Sequence, residues 1–114
     1  MPKYIDIHSH TNFALFDEDR TEVINRALEN KTWLINIGTQ FDTSERAVEI
    51  SNLYKEGVYA TIGLHPTHTT SSYVYQDELG VYSKELSQQG EIFDRQKYKK
   101  LSEKGKVVAI GECG

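Results

Sequence analysis

Cysteine is almost missing from this sequence: Cys113 is the single thiol among 114 residues. An internal disulfide is therefore excluded, and the composition fits a reducing compartment. Prolines number 2, and no internal repeat or low-complexity tract is present, which argues against linker-rich and repeat architectures. No apolar run approaches the roughly 18 residues needed to span a membrane. The N-terminus has no basic segment leading into an apolar core, so no signal peptide is expected. Positive charge is also scarce: 13 Lys and Arg stand against 17 Asp and Glu, a formal net charge of −4. That balance argues against wholesale, counterion-driven binding to nucleic acid. It leaves room for an enzyme that meets phosphates through metal ions and a local basic patch. The expected compartment is the cytosol, or the nucleus or mitochondrion if the source is eukaryotic. What is present is ordinary for one globular domain: 38% hydrophobic and 26% charged residues.

Four short runs of strand length punctuate the chain. They are Tyr4 to His10, Trp33 to Gly38, Val58 to Gly63 and Lys106 to Glu112. Between the first two, Asp19-Arg20-Thr21-Glu22 has the form of a capping box, followed by Val23, Ile24, Ala27 and Leu28 at helical spacing and a stop at Asn30. Asp42-Thr43-Ser44-Glu45 repeats the signature, with Ala47, Ile50, Leu53 and Tyr54 as one stripe ending at Gly57. A lysine-rich helix is expected from about Asp94 to Lys104, its Arg95, Lys97, Lys99, Lys100 and Lys104 forming a wet face. Strands made of continuous apolar runs and joined by helices describe a parallel sheet, and hence an α/β fold. The third connection is too long for one βα unit, so residues 67–90 read as an insertion, either a hairpin from its Ser-Ser-Tyr-Val-Tyr and Val-Tyr-Ser pieces or a helix over Gln76 to Gln89.

The first strand, Tyr4-Ile5-Asp6-Ile7-His8-Ser9-His10, organises the chemistry. Strict alternation puts Tyr4, Asp6, His8 and His10 on one face and Ile5 and Ile7 on the other, with steps of about 7 Å. Histidine is the commonest metal ligand, and two imidazoles at this spacing reach one ion where the strand bends or ends. The plainer alternative is a pair of polar residues at a strand exit. In parallel α/β folds ligands bind at the carboxyl ends of the strands. There His8 and His10 end the first strand, His65 the third and Glu112 the fourth. Three separate strands thus deliver imidazole and carboxylate to one edge, which favours a metal or acid–base site. Asp6 is read either as a partner orienting one imidazole or as a buried carboxylate satisfied by backbone amides. Cys113 is expected to be a small buried side chain, and His68 to be solvated.

Tyr4 to His10 (YIDIHSH), Ile62 to Thr67 (IGLHPT) and Lys106 to Gly114 (KVVAIGECG) resemble the first, third and fourth strands of the TatD family of metal-dependent deoxyribonucleases. The histidine pair is common to many barrel hydrolases, whereas the Gly-Glu-Cys-Gly ending and the Gly-x-His-Pro turn are more specific. The resemblance implies a TIM-type (β/α)₈ barrel, an architecture of about 250 residues. Residues 1–114 would be its N-terminal half, a partial barrel of four parallel strands with the insertion at 67–90.

By the same resemblance His8 and His10 bind one metal and Glu112 bridges to a second. His65 contacts phosphate or supports the ligands. Further histidines and a water-activating aspartate come from sequence beyond this half. Two divalent ions are implied, Mg²⁺, Mn²⁺ or Zn²⁺, acting on DNA by attack of activated water on a phosphodiester. Other readings are another amidohydrolase, disfavoured because Glu112 stands where that branch often places a modified lysine, and a catalytically silent half-barrel acting through self-association or pairing with a missing half.

Overall fold

In a computed structural model, which describes residues 1–70, 78 and 90–114, the expected alternation of strand and helix is realised. The elements are β1 (Tyr4–Ser9), α1 (Arg20–Glu29), β2 (Thr32–Ile37), α2 (Phe41–Asn52), β3 (Val58–Ile62), α3 (Arg95–Ser102) and β4 (Val107–Ile110), with single 3-10 turns at Ala14–Phe16 and Pro66–Thr69. All strand pairs are parallel and the order is β1-β2-β3-β4. Consecutive strands that are neighbours throughout are the pattern of a (β/α) barrel, here as a partial sheet. The hairpin or helix expected within the insertion falls almost wholly outside the described residues.

Alternate residues of the sheet bury one face under the helices. Leu34 and Val58 join Ile24 of α1 and Ile50 of α2 in one cluster. Ala60 and Ile62 join Ala47 and Val48 of α2 and Tyr98 and Leu101 of α3 in the next. The helices thus cover a single side, as a barrel requires. Ile24 is fully buried, a burial worth about 1.5–3 kcal/mol. The other face carries the tilted Trp33–Tyr59 ring pair, 5.7 Å between centroids, and is open at Ile5.

The helix ends differ from the sequence reading. At α1 the Asp19 carboxylate caps nothing. Instead Arg20 is turned back along the preceding loop, donating to the Thr11 carbonyl at 2.5 Å, the Phe13 carbonyl at 2.7 Å and Asp17 at 2.7 Å. Three acceptors held by one guanidinium outweigh a single cap bond. At α2 the capping box is formed by Gln40 and Thr43, two residues earlier than expected, and the helix closes at Asn52, leaving Leu53 exposed rather than on the stripe. At α3 Asp94, given above as about the first residue of the helix, is its cap, accepting from the Gln96 and Lys97 amides.

Candidate metal centre at the carboxyl ends of the strands

The alternation read along the first strand breaks at one point. Asp6 pairs with Leu34, but Ser9 pairs with Asn36, so β1 spends three residues where β2 spends two. This bulge reverses the faces beyond it. Ser9, not His8 or His10, shares the side of Asp6, and the two imidazoles swing to the open face of the sheet. Asp6 accordingly orients no imidazole, and it is exposed rather than buried: its carboxylate accepts from the His8 backbone amide at 3.0 Å beside solvent.

Along a flat sheet, β1 and β4 would lie about 14 Å apart, three steps of roughly 4.8 Å. Their ends nevertheless meet. His8 Nε2 lies 3.5 Å and His10 Nε2 4.0 Å from Glu112 Oε2, and His65 Nε2 lies 3.7 Å from Glu112 Oε1. The sheet is therefore curled, with its open face concave. Two close approaches seat β4 and Glu112. The Glu112 amide donates to the Gly38 carbonyl at 2.7 Å and the Gly111 amide to the Ile62 carbonyl at 2.8 Å. A methyl group on Gly63 would stand 2.8 Å from the Glu112 carbonyl oxygen, so only glycine admits that chain there.

Backbone contacts sort the imidazoles by tautomer. His10 Nδ1 lies 3.2 Å from the Ile37 carbonyl. A carbonyl only accepts, so Nδ1 carries the proton and Nε2 presents a lone pair to the centre. His65 is opposite: its Nδ1 accepts from the Thr67 amide at 3.1 Å, which leaves the proton of the neutral ring on Nε2, facing Glu112. His10 thus turns an acceptor nitrogen toward Glu112, and His65 a donor. The His10 ring also stacks on Phe13, 4.2 Å between centroids. Burial holds its pKa below the usual value; the Ile37 carbonyl opposes that shift, His8 reinforces it, and Glu112 and Glu78 oppose it.

Among the described residues, His8, His10 and Glu112 offer one ligand atom each, all within 4.8 Å of one another. Bonds of about 2.0–2.2 Å to a common ion require donors up to roughly 4 Å apart, so the set fits a divalent cation with little movement. Beside it lies a cavity of about 210 Å³ lined by His10, Phe13, Thr39, His65, Thr67, His68, Glu78 and Glu112.

Thr39, His68 and Glu78 were not foreseen here. His68 is buried, not solvated, because its Nε2 pairs with Glu78 at 3.0 Å. The Glu78 carboxylate also accepts from Thr39 Oγ1 at 2.8 Å and Gln40 Nε2 at 3.1 Å. Desolvation, the largest influence, acts to raise its pKa, but the hydrogen bonds from His68, Thr39 and Gln40 and the electrostatic attraction of His68 together hold it below the usual value. Thr39 follows the end of β2, so the strand-end rule that found His65 would also have found it. Nothing in the sequence ties Glu78 to this place. Beneath the centre, the fully buried Asn36 accepts from the Thr11 amide and hydroxyl at 3.0 and 2.7 Å. Asn12 donates to the carbonyls of Ile37 and Thr43. Cys113 is exposed, not buried.

The family model described as TatD related DNase matches residues 5–114. A Bacillus subtilis protein named as the metal-dependent hydrolase YabD is 34% identical over 110 residues, 96% of this chain and 36% of that protein. Proteins named as the 3'-5' ssDNA/RNA exonuclease TatD are similar as well. That of Cronobacter sakazakii is 32% identical over 96% of this chain and 35% of its own length, and that of Pantoea ananatis 29% identical over the same shares. The chain thus spans about a third of the length of the curated relatives it matches.

Proposed function

This chain belongs to the TatD-related DNase family, and from that premise we propose that it supplies the first metal ligands of a hydrolase that cleaves phosphodiester bonds in DNA. The observation that carries the reading is the meeting of His8, His10 and Glu112 from opposite margins of the sheet, within 4.8 Å. His8, His10 and Glu112 would hold the cation, and the Glu112 carboxylate, which approaches His8 and His10 through one oxygen and His65 through the other, would be the group shared with a second ion. Divalent ions bound there supply an activated water and stabilisation of the departing oxygen. His65 Nε2–H keeps the bridging carboxylate in place or donates to a phosphate oxygen. Mg²⁺, Mn²⁺ and Zn²⁺ all suit this mixed imidazole and carboxylate set. Relatives named as exonucleases acting 3'-5' on single strands support a single-stranded substrate. The composition, with its one exposed thiol, supports a cytosolic setting.

Three ligands do not complete a pair of sites, so this chain alone is expected to bind Mn²⁺ but to cleave an oligonucleotide slowly. Calorimetric titration with Mn²⁺ tests the assignment. Glu112→Ala is expected to weaken binding by more than the 10–100-fold that loss of a supporting group brings. Equal affinity in Glu112→Ala and the unaltered chain would overturn it. The exposed Ile5, Ile7, Val108 and Ile110 support a second reading of the whole, association with further barrel sequence or with another copy. Native mass measurement separates the two.

A further inference from the structure

The turn that follows β1 is held more heavily than a surface loop needs. His10, Thr11, Asn12 and Phe13 form it, and the Phe13 amide closes it by donating to the His10 carbonyl at 3.0 Å. From beneath, Asn36 accepts from Thr11, and the fully buried Asn12 donates to the carbonyls of Ile37 and Thr43. From outside, Arg20 reaches back to the carbonyls of both Thr11 and Phe13, with only 19% of its side chain exposed. Arg20 is the first residue of α1, a place where the helix dipole favours an anion and disfavours a cation. A residue that breaks a local rule answers to a demand from elsewhere in the fold. Asp17 accepts from Arg20 at 2.7 Å and from Arg46 of α2 at 3.2 Å, but Asp17 is half exposed, and such pairs contribute little by themselves. The two carbonyls are the demand. A planar guanidinium meets two acceptors in fixed geometry, where an ammonium offers only a point charge.

What this turn carries is the Phe13 ring. It lies on the His10 ring with 4.2 Å between centroids and 21° between planes, while the Ile37 carbonyl meets the Nδ1 edge of the same imidazole. One hydrogen bond alone leaves an imidazole free to swing about it. An edge contact and a face contact together leave one orientation, in which Nε2 is turned toward Glu112. Among the described residues nothing holds His8 in this way: its side chain is 56% exposed and its ring stands edge-on to His10. Resting on the metal reading above, we propose that Phe13 and Arg20 are positioning residues for His10. Arg20 fixes the turn, the turn fixes Phe13, and Phe13 fixes the imidazole, so one ligand is preset before a cation arrives. The ordering of that ligand is then completed in folding and does not weaken binding.

The test joins calorimetric titration with Mn²⁺ to the nitrogen NMR signature of the His10 ring in the metal-free protein, at a pH above the imidazole range. The unaltered chain should show the Nδ1–H form of His10 alone. Phe13→Leu keeps the apolar bulk, so it should fold, but it lacks a flat face. It should mix the two ring forms and weaken Mn²⁺ binding by about tenfold. Phe13→Tyr keeps the face and should bind as the unaltered chain does. Arg20→Lys should behave like Phe13→Leu, since one ammonium cannot hold both carbonyls in place. Arg46→Gln, which meets the network only through Asp17, should change neither reading. An undiminished affinity or an unmixed ring in Phe13→Leu overturns the proposal and leaves the metal reading standing. So does an equal weakening by Phe13→Tyr and Phe13→Leu, and so does an Nε2–H ring in the unaltered chain, a measurement that depends on no variant folding. Absence of Mn²⁺ binding by the unaltered chain overturns the metal reading and the proposal with it.

Discussion

The two central strands and the two outer strands are made of similar residues but serve different ends. Leu34, Val58, Ala60 and Ile62 of β2 and β3 are buried, whereas Ile5 and Ile7 of β1 and Val108 and Ile110 of β4 stand 52–72% exposed. The proposed ligands lie with the exposed pair: His8, His10 and Glu112 all belong to β1 and β4 or the residues just beyond. The central pair supplies what holds them, namely the carbonyls of Ile37, Gly38 and Ile62 and the Thr61 hydroxyl, which donates to the Gly111 carbonyl at 2.7 Å. Stability and ligation are therefore divided between different strands. A change in the centre should cost folding, and a change at the margins should cost binding or nothing.

The division breaks hardest at Ile24, which packs with Leu34, Ile50 and Val58. Ile24→Ala leaves a cavity that helix and sheet cannot both close, and it should cost about 2–5 kcal/mol in urea unfolding. A loss below about 1 kcal/mol would mean that the central cluster is not the stabilising core.

The next largest effect lies where the two regions touch. Gly63→Ala sets a methyl group 2.8 Å from the Glu112 carbonyl oxygen, backbone that cannot swing aside as a side chain would. Glu112 should be displaced and Mn²⁺ affinity should fall by about 10–100-fold, the range for lost support around a ligand. An unaltered titration would show that the seat of Glu112 is not set by this contact.

Acid should separate the half-buried His10 from the buried Glu78. His10 is held below its ordinary 6.5, first by burial, so the unfolded chain takes up that proton before the folded one. Its contribution to metal-free stability is complete above pH 6.5 and is lost as pH falls through the lower folded value. Glu78 is likewise held below its ordinary 4.5, so its contribution is present above pH 4.5 and is lost as pH falls through the folded value. Urea midpoints against pH should therefore decline in two steps. His10→Gln should remove the upper step alone, and a single step in both proteins would contradict the assignment.

Much of this arrangement was legible in the sequence because strand composition and strand-end position are local signals. The four strands and the edge that gathers His8, His10, His65 and Glu112 follow from apolar runs and from where the polar residues interrupt them, whereas the barrel, and with it the order of the strands, was implied by the family resemblance. The bulge in β1 was not legible. It depends on how Ser9 pairs with Asn36 across strands, and one extra residue reverses every face beyond it. The caps failed for a related reason: Asp19 and Glu22 look like a capping box locally, but Arg20 is claimed by the carbonyls of Thr11 and Phe13. Glu78 reaches Thr39 across a sequence separation of 39, and no periodicity announces a contact of that range.

The smallest expected effect is the sharpest check on the margins. Ile7 is 72% exposed, so it leaves water only slightly on folding, and replacing it should alter stability by no more than about 0.5 kcal/mol. Ile7→Ser is therefore expected to unfold at the same urea concentration as the unaltered chain. The same substitution removes apolar surface beside Ile5, and contiguous apolar surface promotes association. If the open face is covered by a second copy in solution, the unaltered chain will show a concentration-dependent urea midpoint, and Ile7→Ser will lower it and abolish that dependence. If the face is bare, neither protein will show any dependence on concentration. A loss of 2 kcal/mol or more that is independent of concentration would contradict both outcomes, because it would require Ile7 to be buried within a single copy and would end the division between a stabilising centre and ligand-bearing margins.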